Sequence, residues 1–196
     1  VPEFKRYTNS RKINYFGERK GLTISVQGAA QGQTSLFKAN YAAGADLLFN
    51  WGALNFDAEW SLLRRDGETL QEGMPAHNFT ATAQTGHLRL SYNIALGPHT
   101  VLEPALMFMQ FNGEMDATGQ ANAQKVRMAS GREQALDAGL NWYLDPDFKI
   151  SLHYTHHSGE AGAAGAGATV NDYFYQKETG AMERGDWLGL GLVVLF

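Results

Sequence analysis

Charged and polar side chains recur at every second position along several stretches of this chain, with apolar side chains between them. Between residues 54 and 62, for example, Asp57 and Glu59 share one face of an extended segment, while Phe56 and Trp60 share the other. Charges in such a row line a wetted surface, where they set the local field and the preference for ions. The candidates for this lining are Asp46, Asp57, Glu59, Arg89, Asp137, Asn141, Lys149 and His153.

A simpler interpretation of the same residues stays open, in which they pair with one another and only keep one face wet or rigid. Glu103 is a further charged residue at an inward position. Along the strands, many inward positions are small. Small residues fill a narrow barrel poorly, which favours a wide interior over a closed, packed one. These small positions include Ser25, Ala29, Ala42, Gly44, Gly139, Gly189 and Gly191.

Metal and catalytic chemistry have weaker support in the sequence. On a strand, His153 and His157 point to one side and His156 to the other, and Thr155 supplies no carboxylate between them. We therefore expect these histidines to lie at the outer rim, near lipid headgroups, and we expect no metal site or other cofactor. No serine lies in a recognisable nucleophile motif, so we expect no enzyme. The serines considered were Ser91, Ser151 and Ser158.

Composition narrows the class of protein. The formal charge of −4 gives no reason to propose a nucleic-acid partner, and the absence of cysteine excludes disulfides and thiolate metal sites. Mean hydropathy is −0.31, and no apolar run is long enough for a membrane-spanning helix. Membrane strands remain allowed, because their signal is alternation and not mean hydropathy.

Eight segments with strand character follow a basic entry segment at residues 1–20. Their lengths suit tilted membrane strands of about ten residues. We therefore predict an all-β chain, a transmembrane antiparallel β-barrel with eight strands. The strands are expected near 21–31, 36–50, 52–64, 79–94, 100–111, 133–144, 148–157 and 186–196.

Connector lengths alternate in the way that membrane barrels require, with short turns at one rim and long loops at the other. The short connectors lie at 50–52, 95–99 and 145–147, and the long ones at 65–78, 112–132 and 158–185. Only the hairpin at 32–35 is a short connector on the long-loop side. This parity places the short turns in the periplasm.

The C-terminal segment is an apolar strand that ends on Phe196. A soluble domain would expose its row of leucines, whereas a lipid-facing strand would not. We therefore expect a location in the outer membrane of a Gram-negative bacterium. The expected partners are outer-membrane lipids and the barrel-assembly machinery, which would engage the strand ending in Phe196.

Aromatic residues fall near the two expected membrane interfaces, where amphipathic rings concentrate. One group lies toward the periplasmic rim: Phe49, Trp51, Phe56, Tyr92, Trp142, Phe148 and Phe196. A second group lies toward the outer rim and includes Trp60, Tyr154 and Trp187.

Several short stretches resemble the C-terminal half of the phosphate-selective porin O and P family. They are GLNWYLDP at 139–146, KISLHY at 149–154, YFGERKGL at 15–22 and, more loosely, GDWLGLG at 185–191. The resemblance implies that the chain is part of a barrel of about sixteen strands that assembles as a trimer. The family's arginine and lysine ladder is absent from the inward positions, so anion selectivity is not carried over.

These observations lead to the expectation of a porin that lets small hydrophilic solutes or ions diffuse across the outer membrane. The alternative is a closed eight-stranded barrel without conductance, whose loops have a structural or adhesive role. Strand number separates the two, because eight strands leave an interior filled by side chains and sixteen leave an aqueous channel.

Overall fold

The computed structural model describes residues 20–70, 75–145, 147–162, 175–176, 180–181 and 185–194. The basic entry segment, up to residue 19, and Phe196 lie outside these residues. The described chain folds mainly into one antiparallel sheet, in which consecutive strands are neighbours. The prediction of an all-β, antiparallel fold is therefore confirmed.

The sheet contains eight long strands in the order β1-β2-β3-β4-β6-β7-β8-β11, and the two-residue strand β5 pairs with β6. A separate pair is formed by β9 and β10. The bounds are β1 Lys20–Gln31, β2 Ala39–Trp51, β3 Leu54–Thr69, β4 His77–Tyr92, β5 Ile94–Ala95, β6 Val101–Asn112, β7 Gly131–Asp145, β8 Phe148–Ala161, β9 Tyr175–Gln176, β10 Gly180–Ala181 and β11 Trp187–Val194.

The eight predicted segments correspond to these eight long strands, with shifted ends. Strands β3 and β8 run farther than predicted, to Thr69 and Ala161, because the polar residues at their C-terminal ends still pair with neighbouring strands. The predicted fourth strand is interrupted at Asn93, after which β5 forms its own short pairing with β6. At one tight turn, Gly52 has a φ of 58°, which glycine adopts without a steric penalty.

The two ends of the sheet differ in their connections. We call the end with the connectors 52–53, 96–100 and 146–147 the short-turn end. The opposite end, where the chain passes through 70–76, 113–130 and 162–186, is the long-loop end.

The two faces of the sheet also differ. One face, the apolar face, presents rows of exposed large side chains, and Val26 and Leu190 are 80% and 79% exposed. The other face, the polar face, holds rows of carboxylate, imidazole and amide side chains that are neighbours across the strands. Alternation along each strand produces this separation, because successive side chains point to opposite faces.

Within the residues described, the sheet is open. The outer edge of β1 and the outer edge of β11 pair with no further strand in this part of the chain. No helix in the described ranges is long and apolar enough to cross a membrane.

The segment 113–130 contains the helix α1, Ala117–Lys125, which begins after the cap residue Asp116. The sequence predicts a long polar loop over this stretch, and the helix corrects that expectation. A small apolar core fixes the segment to the polar face at the long-loop end. The core contains Phe79, Ala81, Ala83, Ala123, Val126 and Met128, with Phe37, Leu63 and Phe111 packed against it.

Candidate functional site on the polar face

A pocket of about 550 Å³, lined by residues from β2 through β11, shows that the polar face is concave. Six of the eight predicted lining residues border this pocket. Glu59 borders an adjoining pocket of about 380 Å³, and Asp46 lies opposite Glu59 on the neighbouring strand. The structure thus brings all eight to one face. The six are Asp57, Arg89, Asp137, Asn141, Lys149 and His153.

Glu103 is a buried carboxylate at the short-turn end of this face. Its Oε1 accepts a hydrogen bond from the Ser91 hydroxyl at 2.7 Å. Its Oε2 accepts from the Asn141 amide at 3.1 Å and from the Tyr143 hydroxyl at 3.0 Å. All four residues are buried. Donors on β4 and β7 therefore converge on one carboxylate of β6, which ties these three strands together.

Asn141 extends this network to β8. Its Nδ2 donates to Glu103, so its Oδ1 is left to accept from the Ser151 hydroxyl at 2.7 Å. The same Oδ1 lies 3.3 Å from His153 Nε2. The orientation of the Asn141 amide is thus determined by its partners on both sides.

His153 lies across Gly139 and reaches the next carboxylate. Its Nδ1 is 2.7 Å from Asp137 Oδ1, and the Thr155 hydroxyl donates to Asp137 Oδ2 at the same distance. A Cβ at position 139 would collide with the imidazole ring. Glycine at this position therefore makes room for the ring to lie flat between Asp137 and Asn141.

Asp57 is the centre of a second charged group on β3 and β4. Arg89 Nε donates to Asp57 Oδ2 at 2.7 Å, and His87 Nε2 lies 3.1 Å from Asp57 Oδ1. These partners are cross-strand neighbours, directly opposite in the case of Arg89 and diagonal for His87. The guanidinium of Arg89 is consequently held beside the Asp57 carboxylate on the polar face.

Asp46 and Glu59 face each other across the β2–β3 ladder. In the part of the chain that the structure describes, neither forms an ion pair. Directly opposed side chains have Cβ atoms about 4.5–5.5 Å apart, so these two like charges reinforce each other's field. In the described residues, the negative charge of this pair is therefore not neutralised by an ion pair.

The segment 113–130 covers the long-loop end of the polar face and is tied down by polar contacts as well as by its core. Arg65 Nη1 donates to the carbonyl oxygens of Val126 and Arg127, at 2.8 Å each. Glu114 Oε1 accepts from the backbone N–H of Thr82 at 2.7 Å, at the part of β4 that extends beyond its pairing with β6. The segment is therefore fixed over this end of the polar face by both polar and apolar contacts.

Trp187 is placed differently from the other predicted interface aromatics. It pairs in register with Thr155, borders the large polar pocket and lies against Gly189. It is therefore on the polar face, whereas Leu188 and Leu190 are on the apolar face. Phe196 lies outside the described residues.

The remaining predicted aromatics are on the apolar face, by the strand register. The Trp60 indole donates to Gln84 at 3.3 Å, and the Tyr154 hydroxyl donates to Asp186 at 2.7 Å, so both rings have a hydrogen-bonded polar end. The rings nearer the short turns are Phe49, Trp51, Phe56, Tyr92, Trp142 and Phe148.

The network does not have the geometry of a nucleophile and its base. The Ser91 hydroxyl donates to a carboxylate and the Ser151 hydroxyl to an amide oxygen, so neither donates to a histidine. Among the described residues, no group of three histidine or acidic side chains could hold a metal ion.

Four members of the network were absent from the predicted lining: Ser91, Tyr143, Ser151 and Thr155. Glu103 was recognised as an inward charge but was left out of the lining as well. The face of each serine, tyrosine and threonine was available in the sequence, since each lies two residues from a predicted lining residue on its own strand. Which donors meet which carboxylates depends on the register between strands, which no short motif encodes.

No protein-family model, no curated protein and no solved structure gives a match to this chain.

Proposed function

We propose that this chain forms the wall of an outer-membrane porin, through which small hydrophilic solutes and ions diffuse without a cofactor or an energy source. The observation that carries the proposal is the opposition of the two faces. An extensive exposed apolar surface lies on one side of the sheet, and a hydrogen-bonded charged surface lies on the other.

The apolar face is larger than soluble proteins normally expose. It runs across all eight long strands, from Val26 on β1 to Leu190 on β11. Contiguous apolar patches on soluble monomers rarely exceed a few hundred Å². Contact with lipid hydrocarbon accounts for such a surface, since it removes these side chains from water.

The height of the apolar face suits a bilayer. On β3 it extends from Leu54 to Leu62, which is roughly 27 Å along the strand and about 20 Å after a typical tilt. Beyond Leu62, toward the long-loop end, the same face of β3 continues with the charged residues Arg64, Asp66 and Glu68. The hydrogen-bonded rings of Trp60 and Tyr154 lie near this upper boundary, which is the position expected for an interfacial girdle.

The open edges of the sheet bear on the size of the barrel. In a membrane, backbone groups at a strand edge must pair, so β1 and β11 need either each other or further strands. The concave polar pocket and the small wall residues support a wide barrel of about sixteen strands, to which this sheet contributes half. The resemblance to the porin O and P family, with its trimeric assembly, is in line with that size.

A second candidate is the closed eight-stranded barrel without conductance. It is favoured by the number of long strands in the sheet, which is eight. In such a barrel β1 would pair with β11, and the polar network would fill the interior instead of lining a channel.

Planar-bilayer recording separates these candidates. We expect the purified full-length protein to produce stepwise, ohmic conductance increases in a simple salt solution. The control is a parallel sample unfolded by heat before addition. Protein that inserts, shown by a heat-dependent gel mobility and by protection of the strands from protease, but never conducts would overturn the porin proposal.

A further inference from the structure

We infer that the wall formed by this sheet makes the pore prefer cations over anions, with Asp46 and Glu59 as the residues that determine this preference. The inference rests on the proposed porin function and specifies which ions would use the pore. It is based on the sign of the charges on the polar face, on how the positive ones are engaged and on where the hydrogen-bond donors point.

Carboxylates outnumber cations on the polar face of the described strands. The register places six carboxylates there and three cationic side chains. The covering segment 113–130 is balanced, with Glu114 and Asp116 against Lys125 and Arg127. The strand carboxylates are Asp46, Asp57, Glu59, Glu103, Glu133 and Asp137, and the cations are Arg65, Arg89 and Lys149.

All three cations are engaged by the wall itself. Arg89 is bound to Asp57, and Arg65 donates to two carbonyl oxygens of the covering segment. Lys149 places its ammonium 5.7 Å from the centre of the Tyr143 ring, where it interacts with the aromatic face. Each of the three positive charges therefore has a partner within the protein.

The neutral donors are oriented in the same way. The donors around Glu103 and Asp137 are directed at those carboxylates, and include the hydroxyls of Tyr143 and Thr155. A hydrated anion is attracted by free N–H or O–H groups on a pore wall, whereas a hydrated cation is attracted by oxygen acceptors and carboxylates. The wall therefore attracts cations more strongly than it attracts anions.

Asp46 and Glu59 carry the uncompensated charge. They are opposite each other on β2 and β3, and neither is ion-paired within the described ranges. Glu59 also borders the pocket beside Phe111, which belongs to the contact surface of the covering segment. The negative field of this pair thus lies next to the part of the pore that the segment narrows.

The test is the reversal potential of the conducting, full-length protein under a KCl gradient. We expect wild-type protein to favour K⁺ over Cl⁻. The double variant Asp46→Asn, Glu59→Gln should lower the permeability ratio about two- to threefold at low ionic strength, and by less at high salt, because mobile ions screen the wall charges. The single variant Glu59→Gln, at an exposed side chain, should produce part of the change.

Glu68→Gln is the matched control. Glu68 lies on the opposite face of β3, beyond the apolar rows, and pairs with Lys38 at 3.3 Å, so its neutralisation should leave the ratio unchanged. A wild-type pore that conducts without preference, or prefers Cl⁻, overturns the inference and leaves the porin proposal standing. An unchanged ratio in both the single and the double variant overturns the role of the pair. No conductance at all overturns the porin proposal and the inference with it.

Discussion

The two ends of the polar face are held in place by opposite physical means. At the long-loop end, the segment 113–130 is fixed mainly by a small apolar core around Val126 and Phe79. At the short-turn end, buried polar side chains are fixed by a continuous hydrogen-bond network around Glu103 and Asp137. The first arrangement is local and can open as a unit, whereas the second ties several strands together.

This difference predicts how each end responds to damage. Loss of apolar packing should release the covering segment and leave the sheet intact. Loss of one network member should leave buried donors without acceptors and weaken the sheet itself.

Val126→Asp should have the largest effect. The Val126 side chain is 0% exposed, and an uncompensated buried charge costs about 3–5 kcal/mol. We expect the segment 113–130 to detach, since its own packing cannot offset that cost. Limited proteolysis should then show rapid cleavage within 113–130 and continued protection of the strands. Val126→Ala, which removes only packing, should lose about 2 kcal/mol and be cleaved more slowly. Equal resistance of all three proteins would contradict the apolar anchoring of this segment.

Glu103→Ala should have a smaller effect that extends across the sheet. It removes the acceptor for Ser91, Asn141 and Tyr143, and unsatisfied buried donors should destabilise the fold by about 1–3 kcal/mol. Urea unfolding followed by tryptophan fluorescence, with the protein in lipid vesicles, measures this change. Glu103→Gln keeps one acceptor oxygen and should lose less. If alanine at this position is tolerated without loss, the network does not hold these strands.

The smallest effect should come from Asp186, a polar anchor at the long-loop end that precedes β11. Hydrogen bonds from Tyr154, His156 and the backbone N–H of His157 hold the pKa of this exposed carboxyl at about 2, below its usual value of 3.8. A lowered folded-state pKa means that the contribution to stability is complete above 3.8 and is lost as the pH falls toward 2. Asp186→Asn should therefore be less stable than wild type at neutral pH but equal to it below pH 2. An unchanged stability difference at both pH values would exclude this linkage.

The strand segments and the two faces could be predicted from the sequence, because alternation with a period of two is a local signal. On β3, Asp57 and Glu59 on one face and Phe56 and Trp60 on the other occupy the expected sides. Trp187 shows the limit of prediction by aromatic type alone. Its parity relative to Leu188 and Leu190 already placed it on the polar face, and parity was the better guide.

The covering helix α1 could not be predicted in the same way. Its sequence, ATGQANAQK, is mostly polar, and its stability depends on a core that includes Phe79 and Leu63, from two strands distant in the sequence, as well as the nearer Phe111. The partners of Glu103 were missed for a related reason. They are brought together by register across β4, β6 and β7, and a shift of one residue would send them to the other face.

The glycine at position 139 has a consequence for the shape of the bore in the proposed channel. Because the His153 ring lies directly against the backbone of Gly139, the ring projects little from the inner surface. Solutes would slide past a smooth lining here, whereas any larger residue at position 139 would tilt the imidazole outward as an obstruction.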